Sequence, residues 1–287
     1  PAFGIFGAGI ATSICCFCIM AAAMICFYAQ NQRKIPTRKR WEFRPELIGK
    51  LIRFGAPAGF QTFIDVGAWT MVSFLIGHLG PAALAASVIA LSINNIYFVP
   101  LLGLSDSTAI VVGQYIGRQR HGIAQQAAYR AWRISAVYAF CGVLVYMLLP
   151  GTLAEFFSPA QQSSVDFAEV SNICVGVLAA AALFNACDSI KFVFMGAMRG
   201  AGDTVAIFLL NSLTAWGLLV PGTLLLTLVF RASIYVVWSF VAMVCVIDAM
   251  IFLWRFQSGK WKTIKLISHT EAEPLEVEQA VYDRITS

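Results

Sequence analysis

LFNACDSIKFVFMGAMRGAGDT, residues 183–204, is the stretch whose reading decides the fold: an apolar run that carries Asp188 and Lys191 in its interior and ends at Arg199-Gly200-Ala201-Gly202-Asp203-Thr204. An ionisable group deep in hydrocarbon costs about 2.5–3.5 kcal/mol on insertion scales, so one that stays faces the protein interior or a water-filled cavity. Spaced three apart, the two charges share one face of a helix. Two readings are open: a self-neutralising ion pair that fixes helix packing, and a site that handles an ion or substrate, the second being favoured by how rarely such charges are kept.

The rest of the chain has the same solvent in view. Hydrophobic residues make up 59% of the 287 residues and charged residues only 12%, against about 25% charged in soluble domains. Seven apolar segments, at 3–28, 47–76, 82–116, 127–149, 167–198, 205–230 and 233–256, are each long enough to span hydrocarbon at about 20 residues per helix. The runs are continuous and do not alternate with period two, which argues against a β-barrel. The fold class is therefore all-α integral membrane. Pro57, Pro100 and Pro221 are candidate breaks within long segments.

Eighteen of the 20 basic residues fall in the connections and tail of one side, which the positive-inside rule makes the cytoplasm, and Arg231 lies on the other. That arrangement predicts a cytoplasmic C-terminus. The start, PAFGIFGAGIATS, has no initiator Met and no basic n-region, so it is no signal peptide and reads as beginning partway through something longer. All eight cysteines lie in apolar stretches and read as packing residues, not a disulfide framework. The tail opens with a basic, Trp-containing stretch that reads as a juxtamembrane anchor, then turns acidic.

Motifs for soluble chemistry are missing. No GxxxxGK[ST] is present, and Gly200-Ala201-Gly202 is explained by a turn at a helix end. His78, His121 and His269 are scattered in connections with no HExxH and read as exposed polar residues. A membrane-embedded transferase or hydrolase with paired carboxylates would need metal- or phosphate-binding loops, which the external connections do not supply. No enzyme, no cofactor and no nucleic-acid partner is expected.

Further positions stand out by depth. Asp65 lies eight residues beyond Pro57, about 12 Å of helical rise, so it reads either as an interface-level Asp or as a functional one, the second being favoured because a short side chain does not easily reach out from that depth. The segment 82–116 holds Asn94, Tyr97 and Asp106, an unusually polar set. There Tyr97 reads either as a ring face for a cation or as core packing, and Asp106 as water-facing or paired with a basic residue. Asp248 is expected to find a partner on a neighbouring helix.

GAPAGFQTFID (55–65), YFVPLLGLSDSTAIVVGQYIGRQR (97–120), LFNACDSIKFVFMGAMRGAGDT (183–204) and WRFQSGKWK (254–262), in this order, resemble the multidrug and toxic compound extrusion family, the MATE transporters, in their NorM-like branch. The resemblance matches only the second half of such a transporter, whose twelve helices form two lobes of six that alternately expose a central cleft. It implies that residues 1–30 are the last helix of the N-lobe, 31–46 a basic cytoplasmic linker, 47–257 the six-helix C-lobe and 258–287 a cytoplasmic tail, with the missing N-lobe helices in cis. Carried over by motif, Asp65, Tyr97 and Asp188 fall at the family's cation-coupling positions, with Asp65 and Asp188 as carboxylates for Na⁺. Lys191, Asp106, Asn94 and Asn185 are candidate modulators. Two departures matter: the family often has Glu at the position of Asp65, and a neutral residue is usual at that of Lys191. The implied activity is export of organic, cationic drugs or toxins by antiport with H⁺ or Na⁺ across a plasma membrane, the inner membrane in a bacterium. A lipid-linked oligosaccharide flippase of the same superfamily, or a non-transporting lobe, is the alternative.

Overall fold

A computed structural model of the chain describes residues 4–34, 45–156 and 167–264. Most of the expected linker, the segment between Phe156 and Phe167, and the tail with His269 lie outside the described residues. The chain divides into two compact units, Pro1–Leu51 and Ile52–Ser287. The first contains α1 (Gly4–Lys34), and α2 (Pro45–Gly77) begins in it.

The second unit continues α2 and adds α3 (Pro81–Gly117), α4 (His121–Leu148), a short α5 (Pro150–Glu155), α6 (Phe167–Gly200), α7 (Thr204–Thr214), α8 (Val220–Leu224) and α9 (Ile234–Gln257). Helices α7 and α8 belong to one continuous run, Thr204–Val229, so the two units together present seven helices long and apolar enough to cross a membrane. Hydrocarbon leaves backbone groups no outside partner, and helices satisfy them within the segment. Among the described residues there is no strand.

The three prolines behave differently. Pro57 and Pro100 sit inside unbroken helices. Pro221 is flanked by π-helical turns at Ala215–Leu219 and Leu225–Val229. It lacks the N–H that would reach back one turn and its ring crowds that carbonyl, so the ladder widens there.

Helix α6 is the axis of the unit and packs on α3, α9 and α4. Small residues permit the closest approach. Gly196 faces the Ser105 backbone and Gly200 the Ala109 backbone of α3, so that a Cβ at either glycine would collide with main chain. Gly113 returns the contact, its Cβ position lying 3.1 Å from the Gly200 carbonyl oxygen. Such small-xxx-small faces let helices in lipid gain by packing where no hydrophobic force drives them together. Ser105 Oγ donates to the Phe192 carbonyl at 2.7 Å across the same seam. Because backbone cannot give way as a side chain can, Gly200→Ala is expected to destabilise the protein by about 1–3 kcal/mol, read as a lowered melting temperature in detergent. Helix α6 ends as expected: Gly202, at φ 81°, turns the chain into α7.

Two large apolar cores lie along the helices, with a small third cluster of Ala68, Ala215 and Val220. One gathers Val72, Ile93, Tyr97, Val177, Trp238 and Val241; the other gathers Val112, Phe194, Met198, Ile207, Phe252 and Trp261. Between residues of the two cores, α6 carries Asp188 and Lys191, α7 carries Asn211 and Thr214, and α9 carries Asp248.

The chain beyond α9 departs from the expected interfacial anchor. Gly259, at φ 69°, reverses the backbone into a short 3₁₀ turn, Lys260–Thr263. Trp261 is thereby buried and stacked on Phe256, with ring centroids 5.1 Å apart, and its Nε1 donates to the Phe256 carbonyl at 2.8 Å. Trp254, the other tryptophan of this stretch, faces outward. Arg255 grips Asp203 with two hydrogen bonds, at 3.0 and 3.1 Å, and Lys262 Nζ reaches Gln125 Oε1 at 2.6 Å. These contacts join the ends of α4, α7 and α9 that carry the basic residues.

Candidate functional site

Asp188 and Lys191 share a face of α6, as their spacing dictates, but they do not form the ion pair that spacing offers. Lys191 Nζ reaches across to α9 and pairs with Asp248 Oδ2 at 2.5 Å. The expectation that Asp248 has a partner on a neighbouring helix thus holds, and that partner is Lys191. The side chains are 15% and 8% exposed, so the pair is well desolvated. Thr214 of α7 donates to the other Asp248 oxygen at 3.0 Å. The ammonium also lies 5.6 Å from the Phe192 ring centroid and 5.8 Å from that of Phe252, within cation–π range.

Asp188 is buried and, among the described residues, has no ion-pair partner of its own. It lies in the electrostatic range of Lys191, Asp248 and Asp65. Asp65, half-buried on α2, accepts from Asn211 Nδ2 of α7 at 2.6 Å. Nearby, Trp216 Nε1 donates to the Ile64 carbonyl at 3.1 Å and Gln61 Nε2 to Met195 Sδ at 3.3 Å, holding α2 against α7 and α6. One layer between the two cores therefore contains three carboxylates and one ammonium drawn from α2, α6 and α9.

Tyr97 borders this layer from α3. Its ring stacks on Tyr138 of α4, with centroids 4.9 Å apart and planes 16° from parallel, and its hydroxyl donates to the Asn185 carbonyl at 3.3 Å. Tyr138 in turn donates to the Tyr97 carbonyl at 2.9 Å. The stacked face is already occupied, so Tyr97 meets the layer through its hydroxyl end, near Asp188. Asn185 is completely buried, its amide beside the Tyr146 hydroxyl of α4 but in no well-formed hydrogen bond, and the buried side-chain oxygen of Asn94 also lacks a partner. Buried polar atoms left this way cost about 1–3 kcal/mol each unless water or an ion satisfies them.

Asp106 stands apart from the layer. It is exposed and pairs with the half-buried Arg199 at 3.2 Å, the pairing with a basic residue that its position suggests. Asp106→Ala is expected to shift stability by less than about 1 kcal/mol, because solvent screens such a pair; a melting curve in detergent checks it.

The two described histidines take no part. His78 is exposed and contacts the Phe74 carbonyl at 3.1 Å, while His121 lies at the start of α4, partly buried. All eight cysteines are free. Among the described residues no three His, Cys, Asp or Glu side chains converge as a metal-binding group. A cavity of about 620 Å³, lined by Leu79, Pro81, Glu169, Arg231 and Ser233, opens at helix ends, away from the charge layer.

Two layer residues escape a reading of the sequence. Asn211 and Thr214 sit in the almost uncharged segment 205–230, and their signal is faint: two polar side chains at i, i+3 in an apolar run.

Helical spans packed around buried carboxylates define a polytopic α-helical membrane protein that keeps ionisable groups in its interior. The chain belongs to the MatE family, whose model matches residues 57–225. Among curated proteins it is 29% identical over 258 residues to the probable multidrug resistance protein NorM of Rhodopseudomonas palustris, a match covering 89% of this chain and 54% of that protein. It is 31% identical over 225 residues to the corresponding protein of Mannheimia succiniciproducens, covering 77% of this chain and 47% of that one. The chain thus spans about half the length of the curated relatives it matches. Among solved structures, a MOP superfamily transporter from Pyrococcus furiosus superposes with a TM-score of 0.78 at 18% identity, covering 92% of this chain and 58% of that one. A MATE in the straight conformation gives 0.76 at 19%, with the same coverage. At those identities the likeness shows the fold alone. NorM-like family membership and a multi-pass, all-helical fold confirm what the sequence motifs suggest, and a family of transporters agrees with the expectation that the chain is no enzyme.

Proposed function

We propose that the chain is the C-lobe of a secondary transporter that exports organic, cationic compounds in exchange for H⁺ or Na⁺; its relatives' name, multidrug resistance protein NorM, supports the drug-export part of that reading. The observation that carries the reading is the charge layer: Asp65, Asp188 and Asp248 are held between two apolar cores, where an uncompensated carboxylate is expensive and persists only with a task. Secondary transporters place substrate and coupling ion near the bilayer midplane, at a comparable depth between helices.

The mechanism is mutual exclusion. Asp188, with Asp65 beside it, carries negative charge when empty and loses it when a proton or cation loads. The loaded and empty states then favour different facings of the lobes, and the ligand shifts the equilibrium only by its differential affinity for the two. The buried amides of Asn185 and Asn94 offer oxygen and N–H groups to water or an ion in the same region, and the Tyr97 hydroxyl bounds it. The side that carries Arg199, Arg255 and Lys262 is the cytoplasmic one in this reading, and the C-terminus lies there.

The test is export of a fluorescent organic cation by the full-length protein in vesicles energised by a pH gradient or by a Na⁺ gradient. Movement against its own gradient under either drive supports the reading. Transport that ignores both gradients overturns it.

A further inference from the structure

Lys191 does something more specific than neutralise the layer. Its ammonium is a covalently held cation with a defined seat: Asp248 Oδ2 at 2.5 Å, the rings of Phe192 and Phe252 beside it, and Thr214 fixing the far oxygen of the same carboxylate. A free alkali cation entering a cluster of carboxylates would seek that same kind of seat, facing the carboxylates and screened from bulk water. Asp188, one helical turn away on the same face, feels the ammonium directly.

We propose that Lys191 is a tethered counter-cation that fills the cation position of the α2–α6–α9 carboxylate layer and thereby excludes Na⁺ from it. The inference rests on the transporter reading above and narrows its coupling ion by chemistry: with the cation seat occupied, the exchangeable charge left to Asp188 is a proton. Among the described residues, Lys191 is the positive charge that faces Asp188, and the negative ones are Asp65 on α2 and Asp248 on α9. The neutral titratable neighbours are Tyr97 on α3, whose ring Tyr138 and Tyr146 of α4 flank, with Cys187 on α6 itself and Cys245 on α9. Helix α7 contributes Asn211 and Thr214, which do not titrate. The ammonium lies within electrostatic range of Asp188 without pairing with it; for unit charges about 6 Å apart at an effective dielectric of about 20, a resident ammonium weakens binding of a second positive charge about 100-fold.

The experiment measures equilibrium binding of radioactive sodium to the purified full-length protein, alongside melting in sodium chloride against choline chloride. The wild type is expected to show no saturable sodium binding and no sodium-specific stabilisation. Lys191→Gln empties the seat while keeping Asp188, Asp65 and Asp248. It is expected to bind sodium about 100-fold more tightly than the wild type and to melt at a higher temperature in sodium than in choline. Saturable sodium binding by the wild type overturns the proposal, as does a folded Lys191→Gln protein that gains none. If Lys191→Gln fails to fold even in sodium, the wild-type measurement alone decides. A wild type that binds sodium and still exports under a sodium gradient would retain the transporter and remove the role assigned to Lys191.

Discussion

The Asp188→Asn protein is expected to insert and fold as the wild type does and to lose gradient-driven export, leaving only passive leak. Asn has nearly the volume and shape of Asp, and the side chain is buried at 4% exposure with no ion-pair partner among the described residues. Removing the charge therefore removes a desolvation penalty and breaks no salt bridge, so the melting temperature should hold or rise. Function suffers for a different reason. A site that carries the same charge whether loaded or empty has no differential affinity for the two facing states, and a ligand without such a difference shifts no equilibrium. Asn is a permanent mimic of the protonated acid and holds the layer in one of its two conditions. Asp65→Asn should be milder, because Asp65 is half-exposed and already bonded to Asn211. The measurement is export of a fluorescent cation in everted vesicles, normalised to protein by immunoblot. Normal gradient-driven export by Asp188→Asn sinks both the site and the mechanism built on it.

How much of this was legible in the sequence depends on whether the determinant is local. The seven spans were, because hydrocarbon thickness fixes the length of an apolar helix and the charges between spans mark its ends. The turn at Gly202 was legible for the same reason, following from spacing along one segment. Partnerships across helices were not. Lys191 is three residues from Asp188, and nothing within α6 says that its long stem reaches Asp248 instead. That choice comes from the packing of α6 on α9, and from Thr214 on a third helix. Trp261 shows the same limit: beside Lys260 and Lys262 it has the composition of an interfacial anchor, yet Gly259 folds it back onto Phe256. The prolines were ambiguous because Pro removes one hydrogen bond wherever it falls, while the surroundings decide whether the ladder widens, as at Pro221, or runs on, as at Pro57 and Pro100. Tyr97 could be placed at the right depth, but only the stack with Tyr138 decides which part of it meets the layer.

Asp248→Ala is expected to produce the largest loss of stability of any single change in the layer, about 3–5 kcal/mol, the usual penalty for leaving one member of a buried ion pair alone. Three effects add. The Lys191 ammonium, only 15% exposed, loses the carboxylate 2.5 Å away; Thr214 loses the acceptor at 3.0 Å; and the truncated side chain leaves space beside Phe252. Lys191→Met combined with Asp248→Leu should recover most of the loss, since a buried pair replaced by apolar residues of similar volume is often neutral or stabilising. A denaturant titration of the single and double variants supplies the coupling energy directly. The result also reports on Asp188. If Asp248→Ala loses less than about 1 kcal/mol, Lys191 has found a new partner, and its neighbour at i−3 is the carboxylate in reach. Adding Asp188→Asn to that background would then restore the full penalty. In that event the two aspartates are interchangeable seats for one ammonium, and a side chain that can move between α9 and its own helix is a switch rather than a fixed counter-ion. The loss of about 3–5 kcal/mol instead means that Lys191 stays bound to Asp248 alone, which leaves Asp188 as the carboxylate free to load and unload.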